Sequence, residues 1–233
     1  MQTKHPPLIP QLWEEGDTLL IDKPLQWTSF DVVNKLKHKI KHLSGQRVKV
    51  GHAGTLDPLA TGLLIVCVGP KTKQIDQIQN ADKTYIAKIR LGQTTASYDA
   101  ETPVLEEKST SHLNLESIKE ALKPFDGLIE QVPPAYSALK INGKPAYKMA
   151  RKGQAVELTK REILISNIEI ISFENPVLEL SISCSKGTYI RSIAHDLGGK
   201  IGVGAHLNGL IRTKIGTYHL QDAWNLNELI ACF

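Results

Sequence analysis

Residues 178–201, LELSISCSKGTYIRSIAHDLGGKI, change period halfway along. Leu178, Leu180, Ile182 and Cys184 alternate with Glu179, Ser181, Ser183 and Ser185, the period of a half-buried strand. Ile190, Ile193, Ala194, Leu197 and Ile201 then recur at helical spacing, with Gly198-Gly199 near the helix end. The stretch therefore reads as a strand running into a helix through Lys186-Gly187-Thr188-Tyr189. Outward from it, Thr18–Asp22 is a short apolar strand ended by Lys23-Pro24. Ser29 is placed to cap a helix carrying Val32, Val33, Leu36 and Ile40 on one face, with Lys35, Lys37, His38, Lys39 and Lys41 on the other. Gly45 ends that helix, and Leu63–Val68 is a buried strand.

Tyr85, Ala87, Ile89 and Leu91 alternate with polar or basic residues, which predicts another half-buried strand. Leu115, Ile118 and Leu122 suit a helix that stops before Pro124. Residues 124–153 change character, being rich in Pro, Gly, Lys and Tyr, and read as a protruding insertion. Strands and helices alternate without a repeating βαβ unit. The expected class is α+β, a mixed and mainly antiparallel sheet flanked by helices, in a single domain spanning 1–233.

The 233 residues carry a net charge of +4, which permits an anionic partner without demanding one. The three cysteines lie far apart with no CxxC pair, which argues against a disulfide framework or a cysteine zinc site. The N-terminal MQTKHPPLIP has prolines where a signal peptide needs an apolar run. No apolar run reaches the length of a membrane span. A cytoplasmic protein is expected.

The chemistry-bearing segment is GHAGTLDPLATG, residues 51–62, which sets three glycines, an aspartate and a proline between two strands. Glycines let a backbone approach a ligand closely, and an aspartate before proline is pushed to an extended geometry. Asp57 is thus presented from a stiff loop, although a plain surface turn has the same composition. The loop is no phosphate-binding P-loop, since no Gly-Lys-Ser/Thr closes it. His52 alone is a poor metal ligand. Arg191, at the strand-to-helix junction, could meet a carboxylate or phosphate with two parallel hydrogen bonds. Tyr136, Lys140, Lys144, Tyr147, Lys148, Arg151 and Lys152 interleave aromatic and basic residues, a pattern on which RNA bases stack and phosphates pair.

Taken together these segments resemble the TruB-type tRNA pseudouridine-55 synthases. GHAGTLDPLATG is similar to the family's catalytic loop, and YSALK with the downstream GK and AR to its RNA-gripping thumb. CSKGTYIRSIAHDLG and GAHLNGLIR are similar to its C-terminal core motifs. LLIDKPLQWTS resembles the KPxGxTS segment, with Gln26 where the family has glycine. The resemblance covers roughly residues 16–220. It implies that Asp57 is the essential aspartate and that His52 helps hold the flipped nucleotide. It implies that Tyr85 stacks on the target base, that Tyr189 and Leu210 line the uracil pocket, and that Arg191 pairs with the aspartate. Lys140, Lys144, Tyr147 and Arg151 are the implied RNA contacts of the thumb. The implied reaction isomerises uridine 55 of the tRNA T arm. It requires no cofactor or metal, because the glycosidic bond broken and the carbon–carbon bond formed are of similar strength. A monomer without an obligate protein partner is expected. Bacterial relatives commonly carry a further RNA-binding domain of the PUA type or a substitute, and none is expected here after the catalytic core.

Three rivals are open at this stage. A non-catalytic tRNA-binding or folding module would use the same basic insertion without Asp57. A glycoside hydrolase would need a second carboxylate, and none lies in the loop. A pseudouridine synthase could act on another RNA.

Overall fold

The computed structural model describes residues 14–141 and 143–233; the proline-bearing N-terminal stretch MQTKHPPLIP lies outside them. In chain order the elements are β1 (Asp17–Lys23), α1 (Ser29–Ser44), β2 (Val50–His52), β3 (Ala60–Val68), α2 (Ile75–Asn80), β4 (Lys83–Leu91), β5 (Gln93–Thr95) and β6 (Val104–Glu107). There follow α3 (Leu115–Leu122), β7 (Gly127–Gln131), β8 (Lys140–Ile141), β9 (Lys144–Pro145), α4 (Ala146–Ala150), β10 (Arg161–Glu174) and β11 (Val177–Cys184). The last are α5 (Ile190–Ile201), β12 (Ala205–Ile215), β13 (Tyr218–His219), β14 (Trp224–Asn225) and α6 (Leu226–Ala231). The chain divides into two compact units, Met1–Tyr85 with Leu210–Phe233, and Ile86–Gly209. Among the described residues no helix is long and apolar enough to cross a membrane.

In the first unit, β3 is the central strand. It pairs antiparallel with β1 along its length, Ile21 lying opposite Leu64. On its other edge it takes β2 antiparallel at Val66–Val68 and Leu210–Arg212 of β12 parallel at Ala60–Gly62. β14 adds parallel to β1. The mixed, mainly antiparallel character expected from the sequence is therefore present. One face of the strands buries Leu19, Ile21, Leu64, Val66 and Val68 against Val32, Val33, Leu36 and Ile40 of α1. The other packs Leu63, Ile65 and Cys67 against Ile78 and Ile215. Burying an aliphatic side chain of this size contributes about 1.5–3 kcal/mol, so the period of α1 fixes its docked face. The cap of α1 is one residue earlier than expected. Thr28, not Ser29, accepts the Asp31 amide at 3.0 Å, and Asp31 accepts the Thr28 amide at 2.9 Å. This reciprocal box needs an acid three residues after the cap, which Thr28 has and Ser29 lacks.

In the second unit, β10 and β11 form a long antiparallel pair, and β7 adds antiparallel to the start of β10. β11 buries Leu178, Leu180, Ile182 and Cys184 as its alternation requires. Gly127–Gln131 belongs to this sheet, so the first part of the expected insertion 124–153 does not protrude. Its backbone groups find partners in β10, and Gln131 at its end is buried. The Lys- and Tyr-rich remainder holds the small β8–β9 hairpin and the single turn α4. α5 ends at Gly202, whose left-handed backbone lets its amide bond back to the carbonyls of Gly198 and Gly199.

Candidate active site

The loop bearing Asp57 leaves β2 and enters β3, and it is tied down on both sides of the aspartate. Before it, the buried Ser29 hydroxyl accepts the Leu56 amide at 2.8 Å and donates to the Leu56 carbonyl at 3.2 Å. After it, the Gln26 amide donates to the Pro58 carbonyl at 2.8 Å. The Asp57 carbonyl accepts the Ala60 amide at 3.0 Å, closing a tight turn. At the loop's end the Asp22 carboxylate accepts the Gly62 amide at 3.1 Å. Gly62 has φ of +98°, and a Cβ there would lie 2.4 Å from the Arg212 carbonyl oxygen. Glycine is therefore required where β3 and β12 meet. The half-buried Asp57 carboxylate sits on a frame with little freedom left.

Two buried cations complete this frame. Arg212 is 1% exposed and donates from Nε to the Leu63 carbonyl, from Nη1 to Thr55 and from Nη2 to Gly54. A guanidinium presents its donors in a fixed fork, so one side chain gathers three carbonyls of the loop and its strand. Burial pulls its pKa below the usual guanidinium value, partly opposed by the Tyr85 hydroxyl, which is hydrogen-bonded to it. Lys23 is fully buried and donates to the carbonyls of Pro24 and Trp27 at 2.9 and 2.5 Å. Burial pushes its pKa down to about 8, against the attraction of the Asp57 charge.

Tyr85 is buried in β4 and reaches Arg212. Leu210 and Arg212 are two apart on β12, so they share a face of the strand. His52 is half-buried, and its Nδ1 has no hydrogen-bond partner among the described residues. Burial and then the Arg212 charge lower its pKa, opposed by a hydrogen bond with the Gly54 backbone. The structure thus brings His52, Asp57, Tyr85 and Leu210 into the unit that holds Lys23 and Arg212.

Tyr189 and Arg191 belong to the second unit, at the start of α5. The buried Gln131 clamps Tyr189, accepting its amide at 2.8 Å and donating to its carbonyl at 3.0 Å. The Arg161 guanidinium lies 4.6 Å over the Tyr189 ring. Arg191 is 5% exposed and pairs with Asp99 at 3.5 Å, while its Nη1 also donates to the Ser97 carbonyl. Asp99 accepts further bonds from the Ser97 hydroxyl at 2.6 Å and the Glu101 amide at 2.9 Å. Tyr98, at φ of +63°, stacks on His195 with ring centroids 3.7 Å apart. Of the expected thumb contacts, Lys140 and Lys144 are exposed on the β8–β9 hairpin. Arg151 lies 5.5 Å over the Tyr147 ring and pairs with Glu101 at 2.5 Å.

Sequence reasoning missed Lys23, Asp99 and Arg212. Lys23 and Arg212 stand inside quoted motifs, IDKP and LIR, but nothing in a sequence marks a charged residue as buried, since such residues are almost always exposed. Asp99 lies in a polar run, Thr94–Glu101, that reads as a surface loop.

The fold is shared with a solved chain from a Cbf5–Nop10–Gar1 complex at a TM-score of 0.72 and 27% identity, over 96% of this chain and 56% of that one. This chain thus spans about half the length of that protein. Fold and acid-bearing loop together define an α+β protein of the pseudouridine synthase fold. The model of the TruB family pseudouridylate synthase N-terminal domain matches residues 40–190, and that of the tRNA pseudouridylate synthase B C-terminal domain matches 191–233. The chain is 49% identical over 217 residues to the tRNA pseudouridine synthase B of Phocaeicola vulgatus, covering 93% of this chain and 92% of that one. It is 45% identical over 218 residues to that of Flavobacterium johnsoniae, covering 93% and 95%. The chain belongs to the TruB family of pseudouridylate synthases.

Proposed function

We propose that the chain isomerises uridine 55 in the T loop of tRNA to pseudouridine, with Asp57 as the catalytic carboxylate. The observation that carries this reading is the Asp57 loop itself. Ser29 and Gln26 hold the backbone on either side of Asp57, and two buried cations hold the surrounding frame, on a chain whose near-full-length relatives are named tRNA pseudouridine synthases.

The reaction breaks the bond from C1′ to N1, turns the base, and joins C1′ to C5. The proton on C5 leaves and N1 gains one, so substrate and product are isomers. A uridine inside folded RNA must first be flipped out, at a cost of a few kcal/mol. Tyr85 stacks on the extruded base, and its hydroxyl, held by Arg212, fixes the ring for that role. His52, whose pKa burial lowers, helps hold the flipped nucleotide. Tyr189 and Leu210 line the uracil pocket. Arg191 pairs with Asp57 when RNA closes the site and keeps the carboxylate anionic as water leaves, because an opposite charge favours the ionised form. Lys140, Lys144, Tyr147 and Arg151 grip the RNA. The protein acts as a cytoplasmic monomer in one catalytic domain, without cofactor or obligate protein partner.

The test is a map of pseudouridine in total tRNA from cells lacking the protein. Loss of the modification at position 55, restored by the wild-type gene, is expected; an unchanged map overturns the assignment of substrate.

A further inference from the structure

A cavity of about 450 Å³ opens beside the Asp57 loop, lined by Gln26, Trp27, Asp31, Asn34, Lys35 and His38. Its helical members, 31, 34, 35 and 38, lie on one stripe of α1. The same stripe continues through Lys41 and His42, and all of its members but the half-buried Asn34 are exposed. No acid occurs between Asp31 and Asp57, whereas Lys35, Lys37, Lys39, Lys41, Arg47 and Lys49 all do. Asp31, the one acid in the groove, is already engaged: its carboxylate accepts the Thr28 amide and hydroxyl. The groove itself sets one lysine against one acid over an aromatic floor, and the helix face that runs on from it is cationic.

The groove is also mechanically joined to the catalytic loop. Gln26, on its rim, donates its amide to Pro58, the residue after Asp57. Trp27 gives its carbonyl to Lys23, the buried cation that feels the Asp57 charge. Trp27 is half-buried against the α1 core, so its indole is anchored while part of it stays open. Phe30, one turn along, is 65% exposed. Gln26 holds a left-handed φ of +66°, rare for a residue with a side chain, and lines the cavity.

We infer that this groove is a second RNA subsite, which takes an unpaired nucleotide of the substrate strand: its base stacks on Trp27 and meets the Gln26 amide, and its phosphates follow Lys35, His38 and Lys41 along α1. An anchored aromatic beside a row of cations is the combination by which proteins hold single-stranded RNA. Charge complementarity selects a polyanion, and the aromatic floor selects one that carries bases. The inference rests on the proposed action on tRNA and adds where the strand runs beyond the reacting base.

The experiment measures binding of an unmodified tRNA transcript as a function of salt, and the single-turnover rate at saturating RNA. The double variant Lys35→Ala/His38→Ala removes exposed side chains only. It is expected to weaken binding about tenfold and to reduce the salt slope by about one, with the saturated rate unchanged. Trp27→Phe should retain most affinity, and Trp27→Ala should lose about tenfold. If Trp27→Ala does not fold, the lysine–histidine pair still decides the matter. Lys200→Ala, a charge removed from the end of α5, is the control and should leave binding near wild type. Wild-type affinity and slope in Lys35→Ala/His38→Ala, or an equal loss in Lys200→Ala, overturns the subsite. Tritium release by the wild-type enzyme is read in parallel: its absence defeats the proposed function, whereas its presence with unchanged binding in the variant defeats the subsite alone.

Discussion

The hydroxyl of Ser29 grips Leu56 by both its amide and its carbonyl, at 2.8 and 3.2 Å, one residue before Asp57. The first turn of α1 and the acid-bearing loop are therefore one mechanical piece. Ser29→Ala removes both bonds and leaves a buried amide unpartnered, which costs about 1–3 kcal/mol. Because small misplacements of a catalytic group are expensive, kcat should fall about tenfold with KM nearly unchanged. Steady-state kinetics on tRNA check this, and a wild-type kcat would separate the latch from the chemistry.

Arg212 serves the same loop from the opposite side. Arg212→Lys keeps a charge but offers no fork to span Gly54, Thr55 and Leu63. We expect a loss of about 3 kcal/mol, seen as a fall of roughly 10 °C in Tm for a chain of this size. An unchanged Tm would show that the three carbonyls find other donors.

Lys23 gives the molecule a pH-dependent term. Its pKa in the folded protein, about 8, lies below the ordinary lysine value of 10.5. Below pH 8 both folded and unfolded chains hold the proton, and the folded state bears the full cost of the buried charge. Between pH 8 and 10.5 the folded chain sheds the proton while the unfolded chain keeps it, so this term raises stability as pH rises. The stability of the wild type relative to Lys23→Met should therefore increase from pH 7.5 to pH 10 in urea unfolding. A constant difference would contradict the depressed pKa.

Asp99 and Arg191 form a buried pair, 4% and 5% exposed. Asp99→Asn weakens the pairing and strips a charge from a site with little solvent, at a cost of about 3 kcal/mol. Arg191→Lys keeps the charge but loses the planar fork with which Arg191 would meet a carboxylate by two parallel hydrogen bonds. Both variants should turn over tRNA at least tenfold more slowly than wild type. Activity retained in Asp99→Asn would remove Asp99 from the positioning of Arg191.

Much of this architecture is written locally in the sequence. The alternation of β11, the helical spacing of α1 and α5, and the glycine-proline frame around Asp57 each reflect contacts within a few residues. β10 escaped detection because its alternation is interrupted by register shifts between Ile165 and Asn167 and between Ile170 and Ser172. Each shift moves the following residues to the other face and erases the period. Gly127–Gln131 is a short, half-apolar strand with Leu128 and Glu130 exposed, and only its pairing with β10 gives it away. Lys23, Asp99 and Arg212 have hydrogen-bond partners 1 to 158 residues distant, and their burial itself has no local mark.

The proposed chemistry turns on the Asp57 carboxylate, and Asp57→Asn removes its charge with almost no change of shape. Tritium release from C5-labelled uridine in tRNA should be abolished, while tRNA binding stays within severalfold of wild type. Release near the wild-type rate would contradict the assignment of Asp57 as the catalytic residue.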